Sequence, residues 1–104
     1  MNLASKLPLT ETTYYILLSL NEPAHGYLVM QHVEQMSEGT VRIAAGTMYG
    51  ALENLSKQQL IKIVPGEGRR KVYQITEEGK DLVKLEHQRL CHLTQLYQTI
   101  NGGK

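Results

Sequence analysis

Disulfide chemistry is the first thing the chain lacks. Cys91 is the only cysteine, so no internal bridge can form, and a reducing cytoplasmic setting is expected. Tryptophan is absent, which removes the side chain with the largest stacking face. Long apolar runs are missing too: the longest, around Tyr14 to Leu18, is far short of the roughly 20 residues of a membrane span, so no membrane partner is expected. The amino-terminal residues do not combine a basic start with a sustained apolar core, as a secretory leader would. There is no internal repeat and no low-complexity stretch, and the Gly-Gly-Lys end reads as a frayed tail. No serine or cysteine nucleophile keeps a histidine pattern nearby, and the carboxylates are scattered. Gly66-Glu67-Gly68 is too short for a phosphate-cradling loop and precedes a strand. An enzyme is therefore not expected, and no cofactor is implied.

A strong charge of one sign is also lacking, since the formal net charge is only +1. Its distribution carries more information than its sum. Met1 to Val41 is −3, Arg42 to Tyr73 is +4, and Gln74 to Lys104 is neutral. Positive charge is thus concentrated in the middle of the chain, and such asymmetry decides partners. The 104 residues suit one domain, burying roughly two thirds of its unfolded surface.

That basic stretch contains the helix around which the chain is organised. From Ala45 to Ile61, Met48, Ala51 or Leu52, and Leu55 recur at helical spacing and form one apolar stripe. Thr47, Tyr49, Gly50, Glu53, Asn54 and Lys57 fall mostly on the other side, a surface suited to phosphate and base edges. Before it, Leu9 to Thr13 reads as a helix start, with a threonine cap and Glu11 in the first turn. Tyr14, Leu17, Leu18 and Leu20 supply a buried stripe, and Pro23 ends the helix near Asn21. A second helix is expected from about His25 to Ser37, with Met30, Val33 and Met36 inward and Gly39 as its breaker. Arg42-Ile43 suits a brief strand.

After Leu60 the period changes from helical to alternating. Ile61 to Val64 and Lys71 to Ile75 read as the arms of a hairpin, joined by a glycine-rich turn that carries Arg69 and Arg70. Its expected inner face is Ile61, Ile63, Tyr73 and Ile75. Thr76-Glu77-Glu78 then repeats the cap-plus-acid signature, and a long helix follows to about Ile100. The fold class is accordingly mainly α with a small β-hairpin: a winged helix-turn-helix plus one long C-terminal helix. Residues 1–76 form the DNA-binding part and 77–104 the dimerisation helix and tail, as one compact unit.

His25-Gly26-Tyr27, then Gly46-Thr47-Met48-Tyr49, then Leu60-Ile61, then Gly68-Arg69-Arg70-Lys71-Val72-Tyr73-Gln74-Ile75-Thr76-Glu77-Glu78-Gly79 resemble the successive signatures of the PadR family of bacterial transcriptional regulators. The likeness covers about His25 to Lys80, in order and in register. It implies a homodimeric winged helix-turn-helix repressor of the small branch, in which a single long helix makes the dimer contact. Where members of that family often carry proline, this chain has Ala45 and Gly50. Glycine loosens a helix interior by about 1 kcal/mol relative to alanine, so Gly50 either makes the helix start mobile or lets the backbone approach DNA closely.

The expected DNA-contacting residues are Thr47, Tyr49, Gly50, Asn54, Lys57, Arg69, Arg70, Lys71 and Tyr27. The resemblance assigns Tyr49 mainly to phosphate; the alternative is packing on its own helix pair. Asn54 and Lys57 have the chemistry to read adenine and to hold guanine or phosphate, and a solvated face is their plainer role. Three adjacent cations at a turn gain nothing internally, which favours Arg69, Arg70 and Lys71 as contacts. His25 serves either the DNA backbone or the fold.

In the last helix, Val83, Leu90 and Tyr97 form one heptad series and Glu86, Leu93 and Ile100 another, with Leu82 and Leu96 alongside. About 19 residues from Leu82 span roughly 28 Å, longer than the small domain covers, so part of the stripe is expected to meet a second copy. The resemblance also implies a small hydrophobic or aromatic effector between the long helices, against Leu93, Leu96 and Tyr97, although ordinary dimer core is the plainer role for these side chains. The partners that follow are a palindromic double-stranded DNA operator, a second copy of the chain, and that effector. Two rivals stand beside this reading. His87 and Cys91, with His92 adjacent, suggest a metal-sensing winged-helix regulator that draws further ligands from a partner chain or from His25 or His32. The other is a winged helix used only for protein contacts.

Overall fold

The computed structural model describes residues 2–66 and 68–102; Glu67 of the turn and the Gly103-Lys104 end of the expected frayed tail lie outside the described residues. A 3₁₀ turn (Leu3–Lys6) leads into α1 (Glu11–Ser19), β1 (Ala24–His25), α2 (Gly26–Met36), α3 (Ala45–Lys57), β2 (Ile61–Val64), β3 (Val72–Ile75) and α4 (Glu77–Ile100). The strands form an antiparallel sheet in the order β1-β3-β2, giving a winged helix-turn-helix followed by one long helix.

Three helices begin where a side chain meets amide groups that have no carbonyl one turn back. The Thr10 hydroxyl accepts from Thr13 N–H at 3.1 Å, His25 Nδ1 from Leu28 N–H at 3.3 Å, and the Thr76 hydroxyl from Gly79 N–H at 3.1 Å. α2 ends through Glu38 and Gly39, both left-handed (φ 53° and 82°), as Gly39 N–H returns to the Glu34 carbonyl at 2.8 Å. The core is the shared interior of these elements: Ile16, Leu17 and Leu20 from α1, Val29 and Val33 from α2, Met48, Leu52 and Leu55 from α3. Leu60, Ile61, Tyr73 and Ile75 close it from the sheet side, and Leu82 from α4.

Several expectations need correcting. Arg42-Ile43 is not a strand: Ile43 plugs the core without ladder bonds, and the place beside β3 is taken by Ala24-His25, which pair with Tyr73 and Val72. Ile63 shares the face of Ile61 and Tyr73 but is 54 % exposed: its partner Tyr73 lies on the central strand β3 and is covered, whereas Ile63 lies on the edge strand β2 and borders an open groove. Met36 has the phase of Val29 and Val33, yet it is the last residue of α2 and stays exposed. In α1, Ile16 rather than Tyr14 or Leu18 completes the fully buried set. Glu86 does not join the outward heptad; it is 2 % exposed, turned into its own chain.

Glu86 ties α4 to the segment leading into α1. Oε2 accepts from Leu9 N–H at 3.1 Å and from Arg89 Nη2 at 3.1 Å, while Oε1 accepts from Arg89 Nε. The Arg89 hydrogen bond holds the carboxyl below the ordinary glutamate value of 4.5; the Arg89 charge and Leu9 N–H add to that effect and burial opposes it. A carboxylate pKa lowered by folding contributes its full stability above 4.5 and loses it as pH falls through the folded-state value.

Two close approaches position the parts that face outward. A Cβ at Gly79 would run into the Leu60 carbonyl oxygen, so glycine lets the first turn of α4 pass directly over the end of α3. A Cβ at Gly26 would lie 2.6 Å from Tyr49 Cε1, so glycine lets the hydroxyl end of the Tyr49 ring pack against the first turn of α2.

Two outcomes are expected. Glu86→Gln should lower the thermal midpoint at neutral pH by about 5 °C, and its gap from the parent should narrow as pH falls below 4.5, followed by circular dichroism melts across pH. Gly26→Ala should fold with a midpoint within about 4 °C of the parent, because only a movable ring stands in the way. The nuclear Overhauser contact between residue 26 Hα and the Tyr49 ring should be lost.

Candidate nucleic-acid interface

α3 starts without a side-chain cap: Ala44 occupies the cap position, and Ala44, Ala45, Gly46 and Thr47 are all exposed. Its first amide groups and the positive end of its dipole therefore point outward, which suits an anion. Nothing in the fold comes within 4 Å of a Cβ placed at Gly46 or Gly50, so no internal packing demands glycine there. Both positions leave room for a bulky partner at the backbone.

The buried residues Met48, Leu52 and Leu55 set the rotation of α3, and the polar residues then divide between two flanks rather than forming one face. On one flank, Tyr49, Glu53 and Ser56 line a groove of about 610 Å³, opposite Arg70, Lys71 and Ile63 of the wing, with His25, Tyr27 and Tyr73 along its floor and end. On the other flank, Asn54 lies in a separate crevice with Lys6, Pro8 and Gln58, and the Lys6 ammonium donates to Gln58 Oε1 at 2.8 Å. Gly50 and Lys57 are exposed near the crest between the flanks, and the Lys57 ammonium pairs with Glu53 at 3.4 Å.

The expected contact residues are thus only partly gathered. Tyr27, Tyr49, Arg70 and Lys71 line the wing groove. Gly50 is exposed on the crest beside it, Thr47 is exposed about two turns before Asn54 on that residue's side of α3, and Arg69 is exposed at the tip, outside the groove lining. Asn54 belongs to the other side. Tyr49 packs its ring on Gly26, as its alternative role expects, and keeps half of its surface exposed.

His25 links the wing to α2. Its Nδ1 faces Leu28 N–H, and its Nε2 lies 3.2 Å from Arg70 Nη1. A neutral imidazole has one lone pair, while Leu28 N–H and the guanidinium are both donors. Cap and wing contact therefore belong to the two tautomers of the neutral ring, one each. Burial raises the Tyr73 phenol pKa, with the charges of Tyr49 and Glu53 adding to the effect, so Tyr73 stays a neutral donor at the base of the groove.

Glu53, Tyr73 and Lys6 were not picked out as site residues in the sequence. For Glu53 a signal existed, since it lies four residues after Tyr49 and four before Lys57, the spacing that stacks side chains along a helix. Elsewhere, Cys91 Sγ lies 3.5 Å from His87 Nε2 on the exposed part of α4. Among the described residues, no three His, Cys, Asp or Glu side chains come together as a metal site. No described helix is long and apolar enough to cross a membrane.

Comparison with known proteins agrees with this geometry. The transcriptional regulator PadR-like family matches residues 16–85. An uncharacterised 37.1 kDa protein of a Streptomyces fradiae transposon is 32 % identical over 72 residues, covering 69 % of this chain and 20 % of that protein. The transcriptional regulator YqjI of Escherichia coli is 33 % identical over 58 residues, covering 56 % of this chain and 28 % of that protein. The chain thus spans less than a third of the length of either relative. Among solved structures, a PadR family transcription regulator from Clostridium difficile is 27 % identical with a TM-score of 0.70, over 88 % of this chain and 98 % of that one. A PadR family regulator from Eggerthella lenta, 22 % identical with a TM-score of 0.67 over 98 % of this chain and 87 % of that one, shares the fold. With two thirds of its length inside the family's bounds and the same winged helix, the chain belongs to the PadR-like family of transcriptional regulators.

Proposed function

We propose that this protein is a sequence-specific DNA-binding regulator that acts in the cytoplasm as a homodimeric repressor. The observation that carries this reading is the wing groove: Tyr49 of α3 and the cations Arg70 and Lys71 line one concave surface, α3 begins uncapped and exposed one turn before Tyr49, and Arg69 is exposed at the tip of the wing. Phosphates would meet open amides and the Tyr27 and Tyr49 hydroxyls at the helix side, and guanidinium and ammonium groups at the wing side. Thr47 and Gly50 would lie closest to the major groove, Lys57 would turn from Glu53 to a phosphate, and Asn54 would contact DNA only from the far flank. Such a surface has no use in a module that binds only protein, and the family is not one of enzymes.

Pairing of two copies is supported by α4. Its 24 residues extend about 36 Å. Leu93, Leu96, Tyr97 and Ile100 are exposed along its outer half, and Leu90, beside Tyr14, Tyr15 and Leu18 of α1, is partly covered at the start of the same stripe. Packed in a two-fold arrangement, with Val83 at the inner end of the stripe, the helices would hold residues 1–76 as two reading modules for a palindromic operator. A small hydrophobic or aromatic effector would enter between the two helices, against Leu93, Leu96 and Tyr97, and alter the spacing of the modules.

Arg69→Ala/Arg70→Ala should weaken binding to every duplex and reduce the slope of log affinity against log salt by about two per protomer, measured by fluorescence anisotropy. Unchanged affinity across the salt series would remove the wing from the interface. Sedimentation equilibrium at micromolar concentration should give a dimer for the parent and a monomer for Leu93→Glu/Leu96→Glu. A parent that sediments only as monomer would overturn the paired reading.

A further inference from the structure

We infer that Glu53 is the base-reading residue of this regulator, selecting cytosine by the exocyclic amine that it presents in the major groove. This rests on the DNA-binding reading above and extends it. A carboxylate at the middle of a phosphate-facing helix is unfavourable toward every phosphate it nears, and it offers only acceptors. The donors that a major groove presents to it are cytosine N4 and adenine N6, and carboxylates pair best with the former.

The placement fits that role. Glu53 follows Tyr49 by one helical turn and lines the groove opposite Arg70 and Lys71, so it stands between the two sets of phosphate-binding groups. Asn54, the side chain expected to read bases, is turned to the crevice beside Lys6. The partner of Glu53 in the free protein is Lys57, at 3.4 Å, with both side chains about three quarters exposed (73 % and 75 %). An ion pair so exposed is weakly held, so it shields the carboxylate in solution and separates readily at the duplex. Lys57 then takes a phosphate and Glu53 takes the base. On non-matching DNA the same separation leaves the carboxylate without a donor, so Glu53 acts as much by rejecting wrong sequences as by favouring the right one.

The test is selection from a duplex library with a randomised core, using the intact chain and its Glu53→Gln and Glu53→Ala variants, followed by affinity measurement on single-pair substitutions. Circular dichroism melts establish that the variants fold. The parent should enrich C·G at one position in each half-site and lose about tenfold in affinity when that pair is changed. Glu53→Gln, whose amide both donates and accepts, should move the preference at that position toward A·T. Glu53→Ala should erase the preference while binding unrelated duplexes several-fold more tightly. If the parent and both variants enrich the same pairs at every position, the inference is overturned while the DNA-binding reading stands. A parent that retains no duplex overturns both.

Discussion

The backbone carbonyl of Leu60 is the point on which the arrangement turns. It accepts from Thr76 N–H at 3.0 Å, while Leu60 N–H reaches back to the Leu55 carbonyl at 3.0 Å and the Thr76 hydroxyl donates to the Gln59 carbonyl at 2.7 Å. Gly79 lies against the same oxygen, and Ile75 N–H donates to the Leu20 carbonyl at 2.9 Å one residue away. The end of α3, both arms of the wing and the start of α4 therefore meet within one turn of chain. A shift there would rotate the wing against α3 and swing α4 away from α1 together. The turn is made by Gln59 at a left-handed φ of 62°, a conformation the surrounding hydrogen bonds hold in a residue with a side chain.

From that junction the molecule divides its labour by charge. Buried apolar side chains fix how the helices sit, and the cations that matter stay outside, at a hairpin whose far end the core does not cover. Net charge hides this, because acidic residues elsewhere nearly cancel it. Within the groove the balance is local: Arg70 and Lys71 on one wall, Glu53 on the other, and Lys57 close enough to Glu53 to hold it in solution. On the proposed reading, attraction to any duplex and discrimination among duplexes would come from different side chains of one surface.

α4 works by a similar division along its length. Its first turns are held by Leu82 in the core and by Glu86, which engages both Arg89 and the backbone of Leu9. Past Leu90 the helix leaves the domain, and its apolar residues Leu93, Leu96, Tyr97 and Ile100 are exposed. Glu86 falls in the heptad but is turned into its own chain, so the pairing proposed for α4 would begin beyond it.

Much of this is decided by local chemistry and was legible in the chain alone. Helix starts at Thr10 and Thr76, the stripe of Met48, Leu52 and Leu55, the hairpin after Leu60 and the length of α4 all follow from short-range sterics, capping and periodicity. These act over a few residues wherever the chain happens to be. What the tertiary structure decided is which of two equivalent-looking positions is covered. Ile63 alternates as Ile61 does, and Met36 keeps the phase of Val33, but cover depends on where neighbouring elements end. β1 required β3, nearly fifty residues away in sequence, to give Ala24-His25 a partner. Asn54 and Glu53 differ by one hundred degrees around α3. The pattern of apolar residues cannot say which polar flank the wing will face, because the wing is placed by the packing of the whole core.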